Sequence, residues 1–355
     1  NIDQYLQELK GTFHKVFSQI IERPIFGDTL IVFAKVFREL LYDELTQQEW
    51  RSIFAKAYDS YLKKYRFITN DPSDVCELMS RLFADSNNKL SKGVIYIPFL
   101  RTGEMAIILH KITKGKFKII GQENNPEAFN ICMLYCFMFE IDTSGFELIS
   151  YEQSLNIENS NALLSIFPVG TYLEEKLFTH LLPKYFSGDT ASVVMVSQSL
   201  LFNRKYENIR KWMIHDGYLK AIVAMPPNAM LYNRARMAIL VFDKRRQNDE
   251  ILIINAEKIH KENKRQTKLM EDQIKDLVEV IRNSEEREGF CKSVSVSQLR
   301  ELNFSININL LVLESKIEAV HPKESAEDIQ LKEYELLKIE EDIKKDFLKL
   351  FNLTK

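Results

Sequence analysis

Glu123 closes the apolar run "FKIIGQE". A carboxylate at the tip of such a strand accepts hydrogen bonds and suits the hydroxyls of a ribose. Two residues on, Asn125 precedes Pro126, the cap and first-turn pair that starts a helix. Alone, these residues read equally as a nucleoside contact or as an ordinary strand-to-helix turn with a solvated glutamate. A second stretch bears on the choice. "VIYIPFLRTGEM", Val94 to Met105, is an apolar run that ends at Pro98, turns, and starts a helix near Gly103. Loops of this layout hold cofactors when small residues let backbone N–H groups approach the ligand. Here the turn carries Phe99, Leu100 and Arg101, which are bulky.

The elements that would position these residues are legible in the texture of the chain. Residues 1–92 read as a helical N-terminal domain, with three- and four-residue apolar steps in "YLQELKGTFHKVFSQII" and "TLIVFAKVFRELLYDEL". "DPSDVCELMSRLF" adds a helix with Asp71 or Ser73 as cap candidates. From 93 to 256, β-rich runs alternate with helices: "VIYIPFL", "FKIIGQE", "FELISYE", "ALLSIFP", "SVVMVSQ", "YLKAIVAM" and "RMAILVFDK". Continuous apolar strands separated by helices predict a doubly wound, mostly parallel sheet covered on both faces. The last two runs are joined by the short "PPNAMLYN", so the final strand is expected to be antiparallel. Residues 257–312 read as a basic linker and a helical region. Residues 313–355 read as a helical tail whose stripe of Ile329, Tyr334, Leu337, Ile343, Phe347 and Leu350 calls for a partner.

Composition narrows the chemistry. The chain has 355 residues, a net charge of -2 and 45% hydrophobic residues, an ordinary globular balance. Nucleic-acid contact must therefore come from local patches. No apolar run is long enough to span a membrane, the N-terminal stretch lacks the apolar core of a signal peptide, and a cytoplasmic location is expected. The four cysteines form no CxxC pair, and the six histidines show no metal spacing. Cys132 and Cys136 fall on one helical face and read as small buried hydrophobes.

"GQENNPEAFN" and the block "SQSLLFNRKYENIRKWMIHDGYLKAIVAMPPNAMLYNRARMAILVFDK" make the reading specific. With the region from "INAEKIHKENKRQ" to "LRELNFSININ", they resemble the modification (M) subunits of type I restriction–modification systems. The likeness runs over about residues 67–312, with several motifs in one order. That resemblance implies a class I methyltransferase-like fold, S-adenosylmethionine as cofactor, and methylation of adenine in DNA. It also implies assembly with a specificity (S) subunit, whose coiled coil the C-terminal region would engage.

The departures fall on the chemistry. The family's strand ending in D-P-x-x-G-S-G-G-F aligns its aspartate with Ile97 and its first glycine with Arg101, while Thr102 and Gly103 keep part of the pattern and Glu104 replaces another glycine. The family's F-Y-T-P segment reads "FITNDP", keeping Thr69. Cofactor-binding candidates are thus Thr69, Thr102, Gly103, Glu123 and Asn125, as a degenerate set. The catalytic N-P-P-F/Y tetrad becomes Ile166, Phe167, Pro168 and Val169. Ile166 has no amide to hold an adenine amino group, and Val169 has no ring to stack on a flipped base. Losing such a preorganised hydrogen bond costs ~2–4 kcal/mol of barrier. Losing the stack adds roughly 1–3 kcal/mol.

Arg101 is expected to pair with Glu123 or Glu104 and seal the pocket. Phe99, Leu100 and Phe167 read as a small apolar site or as filled core. The cluster Lys244, Arg245, Arg246 reads as solvated charge in a turn. Lys258, Lys261, Lys264, Arg265 and Lys268, together with Arg234 and Arg236, are candidates for DNA phosphate contact. The expected function is a pseudo-methyltransferase, needing no cofactor and no metal. It would partner an intact M subunit, an S subunit, or both, with DNA as a further ligand. Two alternatives stay open: an active adenine methyltransferase using S-adenosylmethionine through Ser165 or Asn161, and an assembly scaffold not bound to DNA.

Overall fold

A computed structural model describes residues 71–90, 92–150, 162–169, 190–216, 218–230, 235–246, 249–259 and 267–313. The proposed helices before residue 71 and after 313, Thr69, Asn161, Lys261, Lys264, Arg265 and Arg234 lie outside the described residues.

Among the described residues, nine strands form one sheet in the order β3-β2-β1-β4-β5-β7-β6-β8-β9. They are β1 Gly93–Ile97, β2 Phe117–Glu123, β3 Phe146–Leu148, β4 Ala162–Ile166, β5 Ser192–Ser197, β6 Leu219–Ala224, β7 Met237–Phe242, β8 Glu250–Asn255 and β9 Cys291–Ser295. All seven strands expected from the sequence are present. β7 runs antiparallel to both β5 and β6, as the short connection before it required. β8 and β9 are additions to the expected set. β8 pairs parallel with β6, and β9 closes the edge antiparallel to β8 from within the stretch read as a linker and helices.

The central strands bury both faces, which is why they read as unbroken apolar runs. Val193 and Met195 of β5, with Ile239 and Val241 of β7, belong to one core. Val194, Val196, Ala238 and Leu240, one residue out of step, belong to the other. The first core lies under α1 Ser73–Ser86, α2 Glu104–Thr113, α3 Pro126–Met138 and α6 Glu271–Asn283. The second takes residues from α4 Ser199–Phe202, α5 Glu207–His215, α7 Val296–Glu301 and α8 Ile308–Leu313. Cys132 and Cys136 are fully buried on α3 with their sulfurs 4.0 Å apart, as small hydrophobes would be.

Helix α1 differs from its expected start. Pro72 holds the cap position, and neither Asp71 nor Ser73 makes a capping hydrogen bond. Both acidic side chains of this turn have other uses. Asp74 is buried and accepts the backbone N–H of Leu269 at 2.7 Å. The same returning segment is held by Thr267, whose hydroxyl donates to the carbonyl of Pro227. Burial pushes the Asp74 carboxyl above its ordinary value, opposed by the Leu269 N–H. The folded state therefore holds this proton more tightly than the unfolded chain. That contribution is present below the ordinary carboxylate value and is lost as pH rises through the raised one. Asp74→Asn keeps an oxygen for Leu269 and removes the buried charge. It is expected to raise stability at neutral pH and to flatten the decline from acid to neutral pH in urea titrations. A variant less stable than the parent at neutral pH would show that the ionised carboxylate is required.

The turn cluster also differs. Lys244, Arg245 and Arg246 do sit in a turn, and Lys244 and Arg245 are exposed as expected, but the two arginines are also tied into the structure. The Arg246 side chain is 5% exposed and donates to the carbonyl of Leu219 at 2.6 Å. Arg245 donates to Asp243 at 2.8 Å and to the carbonyl of Ser86 at 2.5 Å. The sequence shows the charges, whereas these carbonyls arrive from distant elements.

Candidate functional site

The strand order reverses between β1 and β4, and in open α/β sheets ligands bind beyond the carboxyl ends of the strands at that point. The residues singled out in the sequence converge there. β1 delivers the loop 98–103, β2 delivers Glu123, and β4 delivers Ile166 and Phe167.

Glu123 stands at the tip of β2, as expected, and is 2% exposed. One carboxylate oxygen accepts the backbone N–H of Arg101 at 2.7 Å. The other accepts the N–H groups of Asn124 and Asn125 at 3.0 and 2.9 Å. Asn125 caps α3 through its side-chain oxygen, which takes the N–H groups of Glu127 and Ala128 at 2.9 and 3.1 Å.

The loop keeps the backbone of a glycine turn while carrying side chains. Arg101 has φ +46°, in the left-handed region that costs an ordinary residue about 1 kcal/mol. Gly103 follows at φ +89° as the cap of α2, where an added Cβ would lie 2.9 Å from the Cys132 sulfur. Arg101 also reaches across the strand ends. Its guanidinium forms an ion pair with Asp71 and donates to the carbonyl of Ile166 at 3.1 Å. The expected carboxylate partners were Glu123 and Glu104. Asp71 is the one that sequence reasoning missed, because it comes from the segment just ahead of α1, which precedes the sheet.

The remaining bulk is packed inward. Leu100 is 1% exposed and folds onto β2, where its side chain lies against the bare α-carbon of Gly121. Its N–H donates to the carbonyl of Gln122 at 2.8 Å. Phe99 and Phe167 meet edge to face, with ring centroids 6.1 Å apart. Of the two readings of Phe99, Leu100 and Phe167, filled core is the one observed. Thr102 is fully buried. Ile166 is buried in the first core, and Pro168 and Val169 are half-buried. Ser165 is buried, and among the described residues its hydroxyl has no hydrogen-bond partner. Strand alternation turns it to the face opposite Ile166.

Of the basic candidates among the described residues, Lys258, Lys268 and Arg236 are exposed, and Arg236 lies 3.7 Å from Glu257. Among the described residues no group of three or more His, Cys, Asp or Glu side chains could hold a metal ion. No described helix is long and apolar enough to cross a membrane.

A sequence profile described as N-6 DNA Methylase matches residues 174–319. The chain is 23% identical, over 364 residues, to the type I restriction enzyme MpnII methylase subunit of Mycoplasma pneumoniae. That match covers 86% of this chain and 66% of the relative, and other curated relatives are spanned less fully. Among solved structures, the type I methyltransferase subunit from Streptococcus thermophilus superposes with TM-score 0.62 at 15% identity, over 68% of this chain and 58% of that one. A class I S-adenosylmethionine-dependent methyltransferase described as putative, from Listeria monocytogenes, gives TM-score 0.51 at 14% identity, over 68% and 80%. The chain therefore has the class I methyltransferase fold and is a protein like the modification subunits of type I restriction–modification systems.

Proposed function

We propose that this chain is a pseudo-methyltransferase, a modification-subunit-like component of a type I restriction–modification or related DNA-modification system. It serves assembly and DNA binding rather than methyl transfer. One observation carries the reading: the Glu123 carboxylate, which would take ribose hydroxyls, is already occupied by three backbone N–H groups. S-adenosylmethionine does not fit the residues present. Arg101 spans the strand ends from Asp71 to the carbonyl of Ile166, where small residues would leave room for the ligand. No amide stands at position 166 to orient an adenine amino group.

Its proposed partners are an intact M subunit, an S subunit, or both. DNA phosphates would meet Lys258, Lys268 and Arg236, with Lys261, Lys264, Arg265 and Arg234 extending that basic set.

The test is calorimetric titration of the purified chain with S-adenosylmethionine, followed by adenine methylation assays with and without an intact M subunit. No heat at about millimolar ligand, an affinity weaker than roughly −4 kcal/mol, supports the reading. Micromolar binding with methylation by the chain alone overturns it and restores the active-enzyme alternative.

A further inference from the structure

We propose that the groove at the opposite end of the strands, between the N-terminal ends of β1 and β2, binds a nucleoside phosphate. This inference is independent of the pseudo-methyltransferase reading, because the groove lies at the other end of the strands from Glu123 and Arg101.

The groove has a volume of about 660 Å³, within the range of small-molecule sites. Three lysines line it: Lys92 ahead of β1, Lys116 in the turn after α2, and Lys118 on β2 opposite Val94. All three are exposed, and none makes an ion pair among the described residues. Such a concentration of unneutralised positive charge stands out on a chain whose net charge is -2. The carboxylate in the lining, Asp142, is partly committed, since it accepts the N–H of Ser144 at 2.9 Å. Lysines grouped this way attract the oxygens of a phosphate chain and repel one another until it arrives.

The rest of the lining argues for an organic ligand rather than a bare anion. Phe117, Ile119 and Ile141, each less than 9% exposed, give the groove an apolar floor. His110 adds a half-buried ring beside them. Burial lowers the pKa of this histidine, which favours the neutral ring. Its position depends on Gly115, at φ +69°, where an added Cβ would lie 3.1 Å from the ring. A flat apolar body with a phosphate tail matches this division between floor and rim.

The test is titration of the full chain with ATP, and of a Lys116→Ala/Lys118→Ala variant, by calorimetry. Adenosine, inorganic pyrophosphate and a short DNA duplex are run in parallel. The expected result is micromolar ATP binding that weakens about tenfold or more in the variant. Adenosine and pyrophosphate should each bind more weakly than ATP by a similar factor. Because both lysines are exposed, the variant is expected to melt with the parent. The proposal is overturned if ATP fails to bind at millimolar concentration, or if the lysine variant binds it unchanged. Pyrophosphate binding as well as ATP, or loss of duplex DNA binding alone, would equally overturn it.

Discussion

Arg210→Ala is expected to destabilise the protein by about 3–5 kcal/mol, because it leaves buried carbonyls without their charged donor at about 1–3 kcal/mol each. The side chain is 2% exposed on α5. Its Nε donates to the carbonyl of Phe304 at 2.7 Å, and Nη1 donates to those of Leu200 and Asn203 at 2.8 and 2.7 Å. One guanidinium therefore ties the segment after α7 to the short helical turns after β5. Burial lowers its pKa from the ordinary value, yet an arginine stays charged in a protein. Alanine leaves three carbonyls without their donor and a void where the side chain lay. Arg210→Lys should fall between alanine and the parent, because an ammonium keeps the charge but lacks the planar fork that serves these carbonyls together. Urea and thermal unfolding measure both variants, and the alanine midpoint should drop by on the order of 10 °C. A loss below about 1 kcal/mol would mean that water re-satisfies the carbonyls and the tie is incidental.

What the sequence revealed and what it hid divide along one line. Strands buried on both faces announce themselves, since "SVVMVS" and "MAILVF" have no polar face to confuse the pattern. β8 was within reach: "EILIIN" is as apolar as its neighbours but follows directly on a charged turn. β9 was not, because "CKSVS" is short, half polar and on the sheet edge, where only its antiparallel partner β8 defines it.

The candidate site shows the same division. Glu123 at a strand tip and Asn125 as a cap are local features, so their positions could be read directly. The use of Glu123 by the loop backbone, and of Arg101 by Asp71, arises from contacts between residues 22 and 30 positions apart. Arg246 misleads for a related reason. A charge in a sequence suggests solvent, and only the fold supplies the carbonyls that let it be buried.

The closure of the loop can be tested where it packs most tightly, between Leu100 and Gly121. A Cβ added at Gly121 would lie 2.5–2.7 Å from three atoms of the Leu100 side chain, closer than any real contact. Leu100 is itself 1% exposed, so it has no open side into which to retreat. Gly121→Ala is therefore expected to cost about 1–3 kcal/mol through overpacking. Leu100→Ala alone should cost about 2–5 kcal/mol, because it leaves a cavity above β2. The double variant is the decisive measurement. If Leu100 fills the space that Gly121 leaves open, the new methyl enters the cavity made by the shortened leucine. The double variant should then lose less than the sum of the singles, with a coupling of about 1 kcal/mol or more. Additive losses in urea unfolding would mean that the two residues are not packed against each other. That result would remove one of the contacts closing the loop and leave Arg101 and Glu123 to hold it.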